Sequence, residues 1–382
     1  VRIGLDLFLE SDFKRFNNQR IGLLTNITGV NQSLVPAIDL FDKHPGIHLT
    51  ALFSPEHGIR GDIKEGEEVS SYTDPYTQLP IYSLYGENRV PSEAMMDEVD
   101  VIVFDLQDIG SRYYTFIYSM ANVMEACEKW NKQLVVLDRP NPISGAKTEG
   151  NIVEKELRSF VGMLPIANRH GMTVAELAKM FKHEFGYACD LTVIPMQGWK
   201  RDMYFDDTPL FWVPPTPNVT HTDMMTLYTG TCLLEGTNLS EGRGTTKPFE
   251  VVGAPFIDGN QLAEEFNNQH LPGVKARPMS FIPNTQKFEN EICGGIQLHV
   301  VNKEAIQSLK TGVKLLETVA RLYPDKVQFH KDEQDQYFFD LLAGTKTLRN
   351  QIMTSTTDNF LAACESQIAT FNEVRAPYLL YS

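Results

Sequence analysis

The sequence predicts an α/β protein, a Rossmann-like parallel sheet domain followed by a second, smaller α/β domain. Three observations lead to that reading. Short apolar segments alternate with amphipathic helical ones through the first 140 residues. Each apolar segment turns polar and turn-rich at its carboxyl end. After about residue 250 the texture changes to long helical patterns, which sets the domains at 1–253 and 254–382, with the boundary near Gly253.

The elements follow in order. "RIGLLTNITG" (Arg20–Gly29) reads as a strand ending in Thr25 and Asn26, and "SLVPAIDLFDKHPG" as an amphipathic helix closed by Pro45 and Gly46. "LTALFSPEHG" is a strand ending in Glu56 and His57. "VDVIVFDLQDIGSR" (Val99–Arg112) ends in Asp105, Gln107 and Asp108. The helix "YTFIYSMANVMEACEKWN" leads to "QLVVLDRPNPISG", which ends in Asp138, Arg139 and Asn141. "TVAELAKMFKHEFG" is a helix introduced by Thr173, "DLTVIPMQGW" another strand, and "DDTPLFWVPPTPNVTHTD" a proline-rich loop. Helical periodicity dominates from "QLAEEFNNQHLPG" onward, with "CGGIQLHVVN" as a strand between helices. In an open parallel sheet, ligands sit beyond the carboxyl ends of the strands, where the strand order reverses. Four successive polar strand ends therefore predict a converging site there.

Composition narrows the function. With 34 Lys+Arg against 49 Asp+Glu the formal charge is −15, which disfavours nucleic acid and anionic membranes as partners. No apolar run approaches the roughly 20 residues of a membrane span. The five cysteines are scattered without zinc-ligand spacing, so no metal is expected. Neither GxGxxG nor GxxxxGK[ST] occurs, which removes the turns that cradle phosphates; no cofactor is expected. HExxH and GxSxG are missing as well. His57 and His170 stand apart from the other histidines, each in a polar turn beside glycine and a charged residue.

A surplus of carboxylates in turns remains: Glu56, Asp105, Asp108, Asp138, Glu149, Glu235 and Glu241. Paired carboxylates suit glycoside cleavage, one protonating the leaving oxygen and the other attacking the sugar or activating water. The alternative use is helix capping or pairing with Arg60, Arg112, Arg139, Arg169 and Arg243.

Six motifs in order, "LFSPEHGIRGD", "DLQDIGSRYYTFI", "LDRPNPISG", "RHGMTVAELA", "GWKRDM" and "CLLEGTNLSEGRGTTKPFE", resemble the NamZ-type exo-β-N-acetylmuramidases, formerly a bacterial domain of unknown function. "TEGN" at 148–151 and "PPTPN" depart modestly from the family pattern without removing an acid or an arginine. The resemblance implies a cleft between the two domains and release of N-acetylmuramic acid (MurNAc) from the non-reducing end of MurNAc-GlcNAc. It implies that Glu56 is the catalytic glutamate. Glu241 is the candidate for the second carboxylate, followed by Glu235, and His57 completes the catalytic set. Asn26, Asp105, Gln107, Asp108, Arg112, Tyr113, Arg139, Asn141, Arg169, His170, Glu235, Asn238 and Arg243 are the candidate substrate contacts. Arg139, Arg169 and Arg243 are the forks suited to the lactyl carboxylate of a small anionic glycan. Tyr113, Trp199 and Trp212 are candidates for a sugar platform. Attack by the substrate's own acetamide stays open beside the two-carboxylate routes. A non-catalytic protein that captures anionic sugars is the competing class, and a periplasmic or secreted location is expected by analogy.

Overall fold

The computed structural model describes residues 1–55, 58–61, 71–86, 89–332 and 334–382. The first strands are β1 (Arg20–Thr25), β2 (His48–Ser54), β3 (Tyr72–Thr73), β4 (Pro80–Ser83), β5 (Val101–Asp105) and β6 (Gln133–Leu137). β7 (Glu149–Ile152) and β8 (Ala167–Arg169) form an antiparallel pair of their own, and β9 (Asp190–Ile194) returns to the main sheet. That sheet has the order β3-β4-β2-β1-β5-β6-β9, parallel throughout except for the edge strand β3.

Alternation along each strand sends neighbours to opposite faces. Leu23, Leu52, Val103 and Val135 face α1 (Gly4–Glu10) and α2 (Ala37–Lys43), packing with Phe8, Ile38 and Phe41. Leu24, Phe53, Phe104 and Val136 belong to the core on the other face, which includes residues of α3 (Glu93–Met96), α4 (Phe116–Lys129) and α5 (Val174–Glu184). Burial on both faces explains the near-continuous apolar strands read from the sequence. α5 opens with a capping box between Thr173 and Glu176.

The remaining chain adds α6 (Thr222–Thr231), the antiparallel sheet of β10 (Val251–Ala254), β11 (Val274–Phe281) and β12 (Cys293–Val300), and α7 (Gly259–Asn267). α8 (Ser308–Leu322), α9 (Phe338–Ala343), α10 (Thr347–Met353) and α11 (Thr357–Arg375) complete it. α6 and α8 cross backbone to backbone, because a Cβ on Gly312 would collide with the Gly230 carbonyl. One hydrophobic cluster runs from Leu24 and Phe104 through Met224 and Leu227 to Leu316 and Phe339, so the two halves share a core. The chain end is sewn to the sheet. Leu380 N–H donates to Glu176 (2.7 Å), and the Tyr381 hydroxyl donates to Asp138 at the end of β6.

Candidate active site

The strand order reverses between β1 and β5, where a Rossmann-like sheet opens its crevice. Here the protein fills that crevice itself. Thr25 Oγ1 donates to the Asp105 carbonyl (2.9 Å), and Gln107 N–H donates to Thr28 Oγ1 (3.1 Å). Asn26 accepts from Thr28 N–H (2.9 Å) and Oγ1 (2.6 Å), and Gly29 leaves no room for a Cβ beside Thr25. Arg139 grips Asp105 with two bonds of 2.6 and 2.8 Å. Gln107 donates to the carbonyls of Asp108 and Pro140, and Asn141 closes its own turn through Ile143 N–H. His170 Nε2 lies 3.2 Å from Asp108 Oδ2. The space left beside these groups is about 20 Å³, smaller than a sugar.

Asn26, Asp105, Gln107, Arg139 and Asn141 thus make their bonds within the protein, His170 faces Asp108, and none of the seven lines the large cleft. Two further arginines are spent internally. Arg112 is fully buried and donates to four carbonyls, those of Asn151, Ile166, Leu342 and Ala343. Arg169 pairs with Glu149 at 2.7 Å and also donates to the Ile143 carbonyl.

The large cleft, about 390 Å³, lies to the β4 side and draws on both halves. Leu84 and Tyr85 extend β4, while Thr115, Ser119 and Asn122 come from one stripe at the start of α4. Thr216–Val219 form a loop wall. Tyr228 of α6, Cys232, Glu235, Arg243 and Phe249 close the far side. The aromatic lining is continuous: Tyr228 meets Phe249 edge-on at 4.7 Å and Tyr113 at 6.3 Å. Phe249 holds a left-handed backbone (φ 63°), a conformation that costs a bulky residue energy and that clusters at functional sites.

Glu235 supplies the acid of this wall. Its side chain is 20% exposed and sits 2.8 Å from Arg243. Burial pushes its pKa above the usual carboxylate range, opposed by Arg243. Glu241, 4% exposed, lies behind it, 3.0 Å from Lys287 and 3.5 Å from Arg243. Gly242 (φ 83°) makes the turn between Glu241 and Arg243, a backbone state that glycine adopts without a Cβ penalty. Lys287 also donates to the carbonyls of Leu234 (2.9 Å), Glu235 (3.3 Å) and Leu239 (3.0 Å), fastening the loop that carries both acids. Among the described residues, no group of three or more His, Cys, Asp or Glu is arranged to hold a metal ion.

Two family models match the chain, the N-terminal model of the exo-β-N-acetylmuramidase NamZ over residues 21–223 and its C-terminal model over 226–381. The chain belongs to the NamZ family. It is therefore a glycoside hydrolase by membership. It is 46% identical, over its whole length and 91% of the relative's, to the peptidoglycan β-N-acetylmuramidase NamZ of Bacillus subtilis. Crystal structures of two DUF1343-family proteins from Bacteroides fragilis resemble it. They have TM-scores of 0.93 and 0.80 at 36% and 31% identity, each covering 100% of this chain and 99% of theirs.

Of the candidates read from the sequence, this NamZ-family fold brings Tyr113, Glu235 and Arg243 to the cleft, with Glu241 directly behind. Glu56 and His57 lie outside the described residues. The strand leading to them is described: the Ser54 carbonyl accepts from Leu84 N–H (2.8 Å), and Leu84 lines the cleft. Asn238 is turned away, bonded to Lys326 and Gln328. Trp199 meets Tyr381 edge-on and Trp212 meets Phe205 edge-on, and neither belongs to the cleft wall. Sequence reasoning missed Asn122, Thr216, Asn218, Tyr228, Phe249 and Arg89. A signal existed for α4, where Thr115, Ser119 and Asn122 make a polar stripe at i, i+4 and i+7 along the otherwise apolar first half of the helix.

Proposed function

We propose that this chain is an exo-acting hydrolase that releases N-acetylmuramic acid from the non-reducing ends of peptidoglycan fragments such as MurNAc-GlcNAc. The observation that carries the reading is the half-open, aromatic-walled cleft holding the half-buried Glu235–Arg243 pair in a member of a muramidase family. Saccharides bind on aromatic faces with a few polar groups fixing orientation, and the lining here has that character.

Glu56 is the proton donor to the departing sugar oxygen. The motif that carries it supports this, together with the delivery of β2 to the cleft wall at Leu84. Glu235 is the second carboxylate. Its upward-shifted pKa makes it a stronger base, able to activate water or to orient the acetamide N–H of the substrate, and Arg243 keeps its charged form accessible. Glu241 supports rather than reacts, because its two oxygens face Lys287 and Arg243.

The test is a chromogenic MurNAc glycoside. Glu56→Gln and Glu235→Gln each lower kcat by about 10²-fold or more at unchanged thermal stability. Glu241→Gln costs less in kcat. Near-normal turnover in Glu56→Gln or Glu235→Gln contradicts that residue's role.

A further inference from the structure

The arginines that sequence reasoning offered for the substrate's carboxylate are already occupied. Arg139 holds Asp105, Arg169 holds Glu149, and Arg243 is shared between Glu235 and Glu241. A guanidinium neutralised twice by carboxylates has little left for an incoming anion. Arg89 also lines the cleft, and its situation is different. Among the described residues it makes no ion pair and no hydrogen bond. Its guanidinium lies over the Phe160 ring at 5.1 Å, and Phe160 in turn stacks on Phe338 (6.4 Å, 17°). The stack joins the loop after β4 to the start of α9, so both halves of the protein hold it.

Stacking orients a guanidinium through its face and leaves its N–H donors, which lie in the plane, unspent. Those donors match the two oxygens of a carboxylate. On a chain of net charge −15, a cation with no acid partner among the described residues, on a ligand-sized cleft, adds an attractive site for an anion.

We propose that Arg89 is the specificity-determining residue that selects an acidic sugar, through bidentate bonds to the carboxylate of the lactyl ether. The inference rests on the reading that the cleft takes N-acetylmuramic acid. N-acetylglucosamine lacks that carboxylate and gains nothing from Arg89.

The experiment compares wild type, Arg89→Gln, Arg89→Lys and Phe160→Leu in two arms. Equilibrium binding uses free N-acetylmuramic acid and free N-acetylglucosamine, and kinetics use the aryl glycosides of both. Arg89→Gln weakens N-acetylmuramic acid binding by about 10- to 100-fold, the loss expected for hydrogen bonds to a charged group. Binding of N-acetylglucosamine changes by less than about twofold, and the kinetic loss appears in KM with kcat within about threefold. Arg89→Lys restores part of the affinity, since it keeps the charge without the fork. Phe160→Leu costs less than Arg89→Gln. An unchanged preference for the acidic sugar in Arg89→Gln overturns the proposal, as does a wild type that binds no N-acetylmuramic acid. A wild type that binds the sugar but cleaves no glycoside removes the hydrolase reading, while the binding arm still decides Arg89.

Discussion

Replacing Lys287 with Met tests whether the acid loop is held by this one ammonium. Its Nζ faces the carbonyls of Leu234, Glu235 and Leu239 and the Glu241 carboxylate, all between 2.9 and 3.3 Å. Methionine keeps the stem's bulk and removes the charge and every donor. Among the described residues, Glu241, 4% exposed, then keeps only the Arg243 ion pair at 3.5 Å. Breaking a buried pair from one side costs about 3–5 kcal/mol. Lys287 is itself 23% exposed, so water re-solvates part of what it leaves. The expected loss is therefore about 3 kcal/mol, read from urea unfolding monitored by tryptophan fluorescence. A second readout separates this from a merely structural effect. Lys287 lowers the pKa of Glu235, so its removal raises that pKa further. In the proposed role Glu235 acts charged, and the acidic limb of the pH–rate profile accordingly moves to higher pH. A loss below about 1 kcal/mol with an unmoved acidic limb refutes the reasoning.

Three further outcomes follow from the geometry. Gly312→Ala forces α8 away from the Gly230 carbonyl; it destabilises by about 1–3 kcal/mol and lowers kcat, because α6 carries Tyr228 into the cleft. Unfolding and kinetics of the one variant check both. Arg139→Met strands Asp105, whose side chain is fully buried, and costs about 3–5 kcal/mol, while KM at the distant cleft stays unchanged in the folded enzyme. Burial raises the Asp138 carboxyl to about 7, against the Tyr381, Ala175 and Thr173 donors. A raised folded-state value gives stability that is present at low pH and lost as pH rises through about 7. Relative to Asp138→Asn, the wild type should lose on the order of 4 kcal/mol between pH 4 and 8, measured by denaturant titration at each pH.

How far the sequence reached depended on what each residue does. Strands β1, β2, β5 and β6 were readable because burial on both faces demands apolar side chains, whereas the half-buried edge strand β9 was readable from its short apolar run ahead of a turn. β4, four residues beginning with Pro80, carries too short a pattern to read, yet it extends into the cleft wall. Polar strand ends were visible as types, but pairing is not written in a type. Asp105 and Arg139 look alike as site residues or as a structural fork, and here they bond each other. The same ambiguity separates Arg112, buried among carbonyls, from Arg89, exposed on the cleft. Glu235 and Arg243 were readable because both fall in one dense glycine-punctuated motif. Lys287 lies 46 residues from Glu241 and outside every motif, so only the fold brings them together.

The central claim, hydrolysis at a chain end, is tested most directly by incubating the wild-type protein with MurNAc-GlcNAc and following the products by mass spectrometry. The account predicts free N-acetylmuramic acid and free N-acetylglucosamine in equal amounts, with no release by Glu56→Gln. Disaccharide that binds to the wild type and stays intact would contradict it.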